Sequence, residues 1–335
     1  MNIFQILSEL EKVDPEVYER FDSRRRVFKH MTGLGKNIAA TAVPLAFTAI
    51  FNKAYGQTSG APSATDVLRF ALRLEYLESY FYDMGLGQAG TTATAAQTTL
   101  RGKFSSQNLA ALDKIRTDEA NHVKLLSGAL GSNTVAAPAR TGVFDFTGGK
   151  GTNAGPFATV FTDAAIFLAV AQSLEDTGVR AYKGGAPYLM SADKTPSSVL
   201  ETALNIHSVE ARHAARLRTM RRAAATSTNP SSAAPGSNPS SSPKSWISGQ
   251  DNGGASPMQT APIYGAGTAP SYTPSSITFP AEDNVTQGGV NLQTALASLN
   301  FPASAFSEAF DEPLPVPTVL SIASTFTVTG STFFS

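Results

Sequence analysis

The sequence predicts an all-α fold, an antiparallel four-helix bundle with one long crossover, followed by a Pro/Ser-rich linker and a C-terminal extension. Three observations predict it. Four long segments carry apolar residues at helical spacing and contain few helix breakers. One Gly-rich connection, at about 131–155, is much longer than the others, as in bundles that have one long crossover. Finally, the last two segments carry the same two short motifs as the first two, in the same order.

The predicted helices span residues 64–84, 106–130, 156–183 and 196–225. Ser63 or Thr65 would cap the first helix, because hydroxyl groups accept hydrogen bonds from the free amides of a first turn. Gly131 ends the second helix, and the pair Gly184-Gly185 ends the third, since Gly commonly closes helices. Residues 62–225 are therefore expected to form the bundle.

The N-terminal segment, residues 1–56, resembles an export signal. Ser23-Arg24-Arg25-Arg26-Val27-Phe28-Lys29 is similar to the twin-arginine motif. The apolar stretch 38–51 is too short to be a comfortable permanent membrane span. Ala54-Tyr55-Gly56 offers the small residues that signal peptidases recognise. These features predict export to the periplasm or the cell exterior, with an amphipathic basic helix as the alternative.

Two segments follow the bundle. Residues 226–276 are rich in Pro, Ser and Gly, cannot repay their ordering entropy by burial, and are expected to form a linker. Residues 277–335 regain large apolar side chains and are expected to dock on the bundle. Within them, 291–299 predicts a short helix, whereas the apolar run 319–326 fits a helix or a strand.

The composition excludes several functions. Lys and Arg number 26, as do Asp and Glu, so the formal net charge is zero. A nucleic-acid partner is therefore not expected, because such proteins carry a basic surface. Cysteine is absent, which excludes disulfides, Cys-based zinc sites and Fe–S clusters. Any metal must be bound by nitrogen and oxygen.

The internal repeat places the same residues in both halves of the bundle. The motif Leu-Glu-x6-Tyr occurs at Glu75 to Tyr82 and again, 100 residues later, at Glu175 to Tyr182. Each copy is followed by a helix with Glu-x-x-His. These motifs are Glu119 to His122 and Glu210 to His213. The chain therefore contains two helical hairpins, each with a Glu and then a Glu-x-x-His.

This pattern predicts a two-metal site. Glu and His three residues apart lie on one helix face. Four carboxylates and two imidazoles would be costly to bury unless cations neutralised them, and two divalent ions supply four positive charges. This is the ligand set of di-iron and di-manganese carboxylate bundles. Solvated Glu residues are the alternative, but these residues interrupt apolar helix faces. The predicted ligands are Glu75, Glu119, His122, Glu175, Glu210 and His213.

These motifs resemble the ferritin-like superfamily and, more narrowly, the bacterial and plant ferritin-like proteins related to desiccation-induced proteins. The resemblance covers residues 62–225 and the segment Phe310-Asp311-Glu312-Pro313-Leu314. It rests on the six predicted ligands and on Leu74-Glu75-Tyr76-Leu77-Glu78 with Phe81-Tyr82.

The resemblance implies a division of roles and a set of partners. Glu75 and His122 would serve one ion, Glu175 and His213 the other, and Glu119 and Glu210 would bridge them. The ions would be Fe or Mn, with Zn as a substitute. The family pattern also implies a homo-oligomer whose small-molecule partners are O2, peroxide or iron.

Further residues are candidates for supporting the site. Asp118 would orient an imidazole from outside the ligand set, although the repeat has Val209 there. Arg212 would pair with such a carboxylate or form a surface ion pair. Glu78 matches Gly178 in the repeat; it would be a seventh ligand or an access gate, or else a solvated or hydrogen-bonded Glu.

Three other residues have less direct connections to the ligands. Tyr82 and Tyr182 are expected to be core rings with bonded hydroxyl groups, with a redox role as the alternative. His207 lies well round the helix from His213 and is interpreted as a non-ligand.

Two functions of different classes follow. The first is an exported di-metal protein that handles iron or peroxide in stress protection, through ferroxidation, peroxide reduction, catalase-type disproportionation or oxygenation. The second is a structural or protective assembly, polymeric in one form of this hypothesis, whose metal site mainly stabilises the fold. The sequence leaves the choice between them open.

Overall fold

The computed structural model describes residues 62–190, 198–225, 244–251, 257–270 and 276–334. Residues 1–56, with the twin-arginine-like motif, lie outside the described residues, so export stays a prediction. None of the described helices is both long and apolar enough to cross a membrane.

Among the described residues, the bundle and its connections contain five α-helices. They are α1 (Ala64–Leu86), α2 (Ala95–Arg101), α3 (Ser106–Leu130), α4 (Ala164–Gly185) and α5 (Ser198–Ala225). The four long helices form the predicted four-helix bundle, in which α1 packs mainly on α3 and α4 mainly on α5. The predicted fold class is confirmed. Helix α2, between α1 and α3, was not predicted.

The remaining elements are short and follow the bundle. They are α6 (Pro257–Tyr264), β1 (Gly267–Pro270), β2 (Ser276–Phe279), β3 (Thr286–Gln287), β4 (Val290–Asn291), α7 (Leu292–Ala295), α8 (Ala303–Ser307) and α9 (Val316–Ser324). The strands form two antiparallel hairpins: Gly267 pairs with Phe279, and Thr286 pairs with Asn291. Helix α9 contains most of the apolar run at 319–326, so this run is helical and not a strand.

Side-chain caps set where the long helices begin. Ser63 accepts a hydrogen bond from the amide of Asp66, whose side chain bonds back to Ser63, so a capping box starts α1. Asp163 accepts from the amides of Ala165 and Ile166 and starts α4. The third helix was predicted to begin at 156, eight residues too early. Residues 156–163 are mostly turns, and Phe157 and Val160 among them are buried in the crossover.

Helix α4 is buried on all sides, which is unusual for a helix of a small bundle. Every residue from Phe167 to Tyr182 is buried. One face packs on the other bundle helices, and another face packs on the segments that follow the bundle, including α6 and α9. A helix covered in this way belongs to the centre of the molecule, and it connects the bundle to the extension.

Arg180 on α4 anchors the extension. Its side chain is fully buried, and its Nε lies 2.8 Å from Glu282 Oε1 and donates to the carbonyl oxygen of Glu312 at 2.8 Å. The amide of Leu314 donates to the Arg180 carbonyl. Nearby, the Leu314 carbonyl oxygen contacts Gly184 so closely that a β-carbon at this position would clash with it. The extension therefore docks through buried charge and close backbone contact.

A second buried network joins α4 and α5 to residues of the predicted linker. Arg218 donates to both carboxylate oxygens of Asp176, at 2.5 and 2.6 Å. Tyr264 donates to Asp176 at 2.6 Å, and Arg218 also contacts Asp251 at 3.2 Å. The segment 226–276 thus contains residues that pack on the bundle, a feature its composition did not reveal.

Removing the Arg180 anchor should destabilise the metal-free protein strongly. Arg180→Ala leaves the buried carboxylate of Glu282 without its cation, so we expect the free energy of unfolding in urea to fall by about 3–5 kcal/mol. The exposed Arg69 on α1 provides the control, because Arg69→Ala should change stability by no more than about 0.5 kcal/mol. Equal effects of the two changes would contradict this account of the docking.

Candidate metal centre

The six predicted ligands come from the four long helices and meet inside the bundle. Glu75 lies midway along α1, and Glu175 lies midway along α4. Helices α3 and α5 each supply a Glu and a His from one face. All four Glu residues are 0% exposed, and both His residues are buried. Their convergence follows from the helical spacing, because each ligand falls on the inward face of its helix.

The ligands form two groups that share two members. Glu75, Glu119, His122 and Glu210 form one group; Glu119, Glu175, Glu210 and His213 form the other. Within each group, one potential ligand atom per residue lies within 4.8 Å of the others. Glu119 and Glu210 belong to both groups, which is the arrangement expected of two residues that bridge two ions.

Each imidazole presents its Nδ1 to the carboxylates. His122 Nδ1 lies 3.2 Å from Glu75 Oε2, 3.1 Å from Glu119 Oε2 and 3.2 Å from Glu210 Oε1. His213 Nδ1 lies 2.9 Å from Glu119 Oε1 and 3.1 Å from Glu175 Oε2. One nitrogen carries at most one proton, so it cannot satisfy two or three carboxylates together.

The carboxylates therefore exceed the donors that the protein offers. Among the described residues, no hydrogen bond of acceptable geometry reaches Glu119 Oε1 or either carboxylate oxygen of Glu210. Buried carboxylate oxygens without partners are costly. Two cations, one in each group, would coordinate these atoms and balance four carboxylates. The residues fit the di-metal centre that their spacing predicted.

Without cations, the carboxyl groups of the centre differ widely in pKa. Burial raises the pKa of Glu75 to about 7 and the pKa of Glu210 well above its ordinary value. For Glu119, burial acts in the same direction, but the two adjacent imidazoles outweigh it and lower the pKa to about 2. Protons and cations therefore compete for this cluster.

The neighbouring carboxylates raise the pKa values of both imidazoles. Burial alone would lower the pKa of His213, but the nearby charges of Glu175 and Glu119 raise it to about 12. The pKa of His122 is likewise held well above its ordinary value against the effect of burial. Both imidazoles must lose a proton from Nδ1 before that atom can bind a metal.

Two tyrosines fix the Glu residues across the hairpins. Tyr82 on α1 donates from its hydroxyl to Glu175 Oε1 at 2.5 Å, and Tyr182 on α4 donates to Glu75 Oε1. In each Glu, Oε1 is thus taken by a tyrosine, whereas Oε2 faces an imidazole. The sequence predicted bonded hydroxyl groups but not these partners; the shared offset of 100 residues was the available signal.

The other candidates lie at different distances from the centre. Asp118 Oδ2 lies 3.3 Å from His213 Nε2, on the side of the ring away from the ligands. The prediction for Arg212 was wrong: its side chain is exposed and forms no ion pair with a described residue, because it points outward one position before His213. His207 Nδ1 lies 2.9 Å from the Val179 carbonyl oxygen, outside both ligand groups.

Comparison with known families agrees with this geometry. Residues 63–223 match the family model of the ferritin-like domain. The bundle therefore has the ferritin-like fold. Comparisons of the chain with curated proteins and with solved structures gave no significant match. The ferritin-like domain spans all six predicted ligands, whereas the resemblance to desiccation-related proteins stays a prediction.

Substituting a shared ligand should affect both ions. Glu210→Ala removes a member of both groups, so we expect Mn(II) bound per chain to fall at both positions. His213→Ala removes a member of one group and should chiefly weaken one position. Calorimetric titration and elemental analysis measure the two stoichiometries, with the exposed Glu201→Ala as control. Equal losses in the Glu210 and His213 variants would contradict the division into shared and unshared ligands.

Stabilisation by metal should decrease in acid. The carboxyl of Glu75 has a pKa of about 7 when buried, against 4.5 ordinarily, so the metal-free fold binds a proton that the unfolded chain lacks between these values. As pH falls through this window, the metal-free fold gains stability while the cation loses a charged ligand. The rise in melting temperature caused by Mn(II) should therefore shrink between about pH 8 and pH 5. A rise independent of pH would contradict this.

Proposed function

We propose that this ferritin-like domain binds two ions of Fe or Mn, with Zn as a substitute, and acts on dioxygen, peroxide or iron. The observation that carries the proposal is the pair of buried ligand groups sharing Glu119 and Glu210. Carboxylate oxygens with a few imidazoles favour Fe and Mn over softer ions. When bound, such ions would supply the redox chemistry, and the chain would hold them in place.

The side chains around the ligands support this role. The hydroxyl groups of Tyr82 and Tyr182 hold one oxygen of Glu175 and one of Glu75, leaving the other oxygen of each available to an ion. Asp118 can accept the Nε2 proton of His213, which leaves Nδ1 free as a ligand atom. These contacts pre-organise the ligands before metal binds.

Access to the centre is proposed to run between α3 and α5. The side chains of His122 and His213 are 10% and 7% exposed, whereas the four Glu side chains are fully buried. Asp118, on the same side, is 19% exposed. A small molecule such as O2, peroxide or a hydrated iron ion would therefore meet the imidazole side first, and bulk water would be excluded elsewhere.

The proposed biological setting is stress protection outside the cytoplasm. It rests on the twin-arginine-like residues 23–29, which lie outside the described residues, and on the resemblance to desiccation-related proteins. Export of an already folded protein would let the ions be loaded inside the cell, where their supply is controlled. A homo-oligomer is proposed from the same resemblance.

The test uses protein purified from its own host, with the cytoplasmic and exported fractions kept apart. We expect about two Fe or Mn ions per chain in the exported fraction, followed by turnover of O2, peroxide or Fe(II). The double variant Glu119→Ala/Glu210→Ala is the matched control and should lack both metal and turnover.

Two outcomes would contradict the proposal. A bound metal that is inert toward O2, peroxide and Fe(II) would favour the structural or protective assembly as the function. Wild-type protein that binds no Fe(II) or Mn(II) after refolding, and melts at the same temperature with and without them, would exclude the metal centre itself.

A further inference from the structure

A fifth carboxylate, that of Glu78, lies beside the proposed metal centre. Glu78 is on α1, one turn after Glu75, and is 3% exposed. It belongs to neither of the two ligand groups. The inference that follows rests on the proposed function, because it concerns which ions the centre prefers.

No cationic side chain among the described residues pairs with the carboxylate of Glu78. Within the described part of the chain, it receives no hydrogen bond and forms no ion pair. The charges that act on it are those of four other carboxylates, namely Glu210, Glu75, Glu119 and Glu175. A buried carboxylate in such surroundings requires a proton or a cation.

The fold leaves room for this side chain on the opposite hairpin. The repeat places Gly178 on α4 where α1 has Glu78. A β-carbon at Gly178 would lie 3.2 Å from Glu78 Oε1 and 3.1 Å from Glu210 Oε2. The carboxylates of Glu78 and of the shared ligand Glu210 therefore border the same small space, which an alanine would crowd.

Charge balance indicates what Glu78 does. Four carboxylates with neutral imidazoles balance two divalent ions, whereas a fifth carboxylate balances one divalent and one trivalent ion. We propose that Glu78 is a fifth carboxylate of the centre, placed beside Glu210, and that it favours a trivalent ion in one of the two positions. The two positions of the centre are then unequal, although the six ligands are related by the repeat.

The experiment compares two redox-inert probes, Zn(II) and Ga(III), the latter supplied as its citrate complex. Affinities are measured by competition with a chelator on the full chain. Glu78→Gln keeps the shape of the side chain and removes its charge. We expect its Ga(III) affinity to fall at least about tenfold more than its Zn(II) affinity, because the extra charge acts at short range in a buried site.

Two controls separate charge from shape and from long-range effects. Glu201→Gln removes an exposed charge on α5 and should leave both affinities as in the wild type. Glu78→Asp keeps the charge and should retain most of the preference for Ga(III). The melting temperature of each metal-free variant checks that it is folded.

The outcomes are decisive. A Glu78→Gln variant with the wild-type ratio of Ga(III) to Zn(II) affinity would overturn the inference and show that Glu78 is a protonated structural group. Glu78→Asp losing the preference as fully as Glu78→Gln would also overturn it, since shape and not charge would then matter. Wild-type protein that binds neither ion would instead refute the proposed function.

Discussion

The constraint on which this structure depends is the neutralisation of negative charge inside the bundle. Five carboxylates, those of Glu75, Glu78, Glu119, Glu175 and Glu210, are buried in the bundle, and two imidazoles lie among them in the part of the chain that the structure describes. The imidazoles and the hydroxyl groups of Tyr82 and Tyr182 donate to some of these oxygens, but Glu119 Oε1 and both oxygens of Glu210 receive no hydrogen bond from a described residue. The centre of the bundle therefore carries an excess of buried negative charge, and bound cations would neutralise it.

Helix α4 connects the centre to the segments that follow the bundle. One face of α4 presents Glu175, Gly178 and Tyr182 to the centre. Other faces present Arg180 to the extension and Asp176 to Tyr264 of the predicted linker. The residues after the bundle are thus fastened to the helix that holds a ligand. Their buried ion pairs contribute little net stability by themselves, but breaking one partner is costly, so the position of α4 is well determined.

The internal repeat explains both the symmetry of the centre and its departures from symmetry. Matching residues from the two hairpins meet at the centre, and each tyrosine crosses to the Glu of the other hairpin. Two of the positions at which the halves differ lie beside the centre, where Glu78 faces Gly178 and Asp118 matches Val209. Both differences place extra acidic groups next to only some of the ligands, so two otherwise equivalent positions have different electrostatic surroundings.

The sequence by itself determined the four long helices, their order and the six residues that meet at the centre, because helical spacing and the repeat are local properties of the chain. Tertiary structure alone decided the rest. The crossing of Tyr82 and Tyr182, the outward direction of Arg212, and the packing of Tyr264 from the predicted linker depend on which surfaces meet. Apolar spacing at 156–163 predicted helix because burial in a folded crossover produces the same pattern as burial of a helix face. What a side chain contacts is set by elements distant in sequence, and no local pattern encodes that.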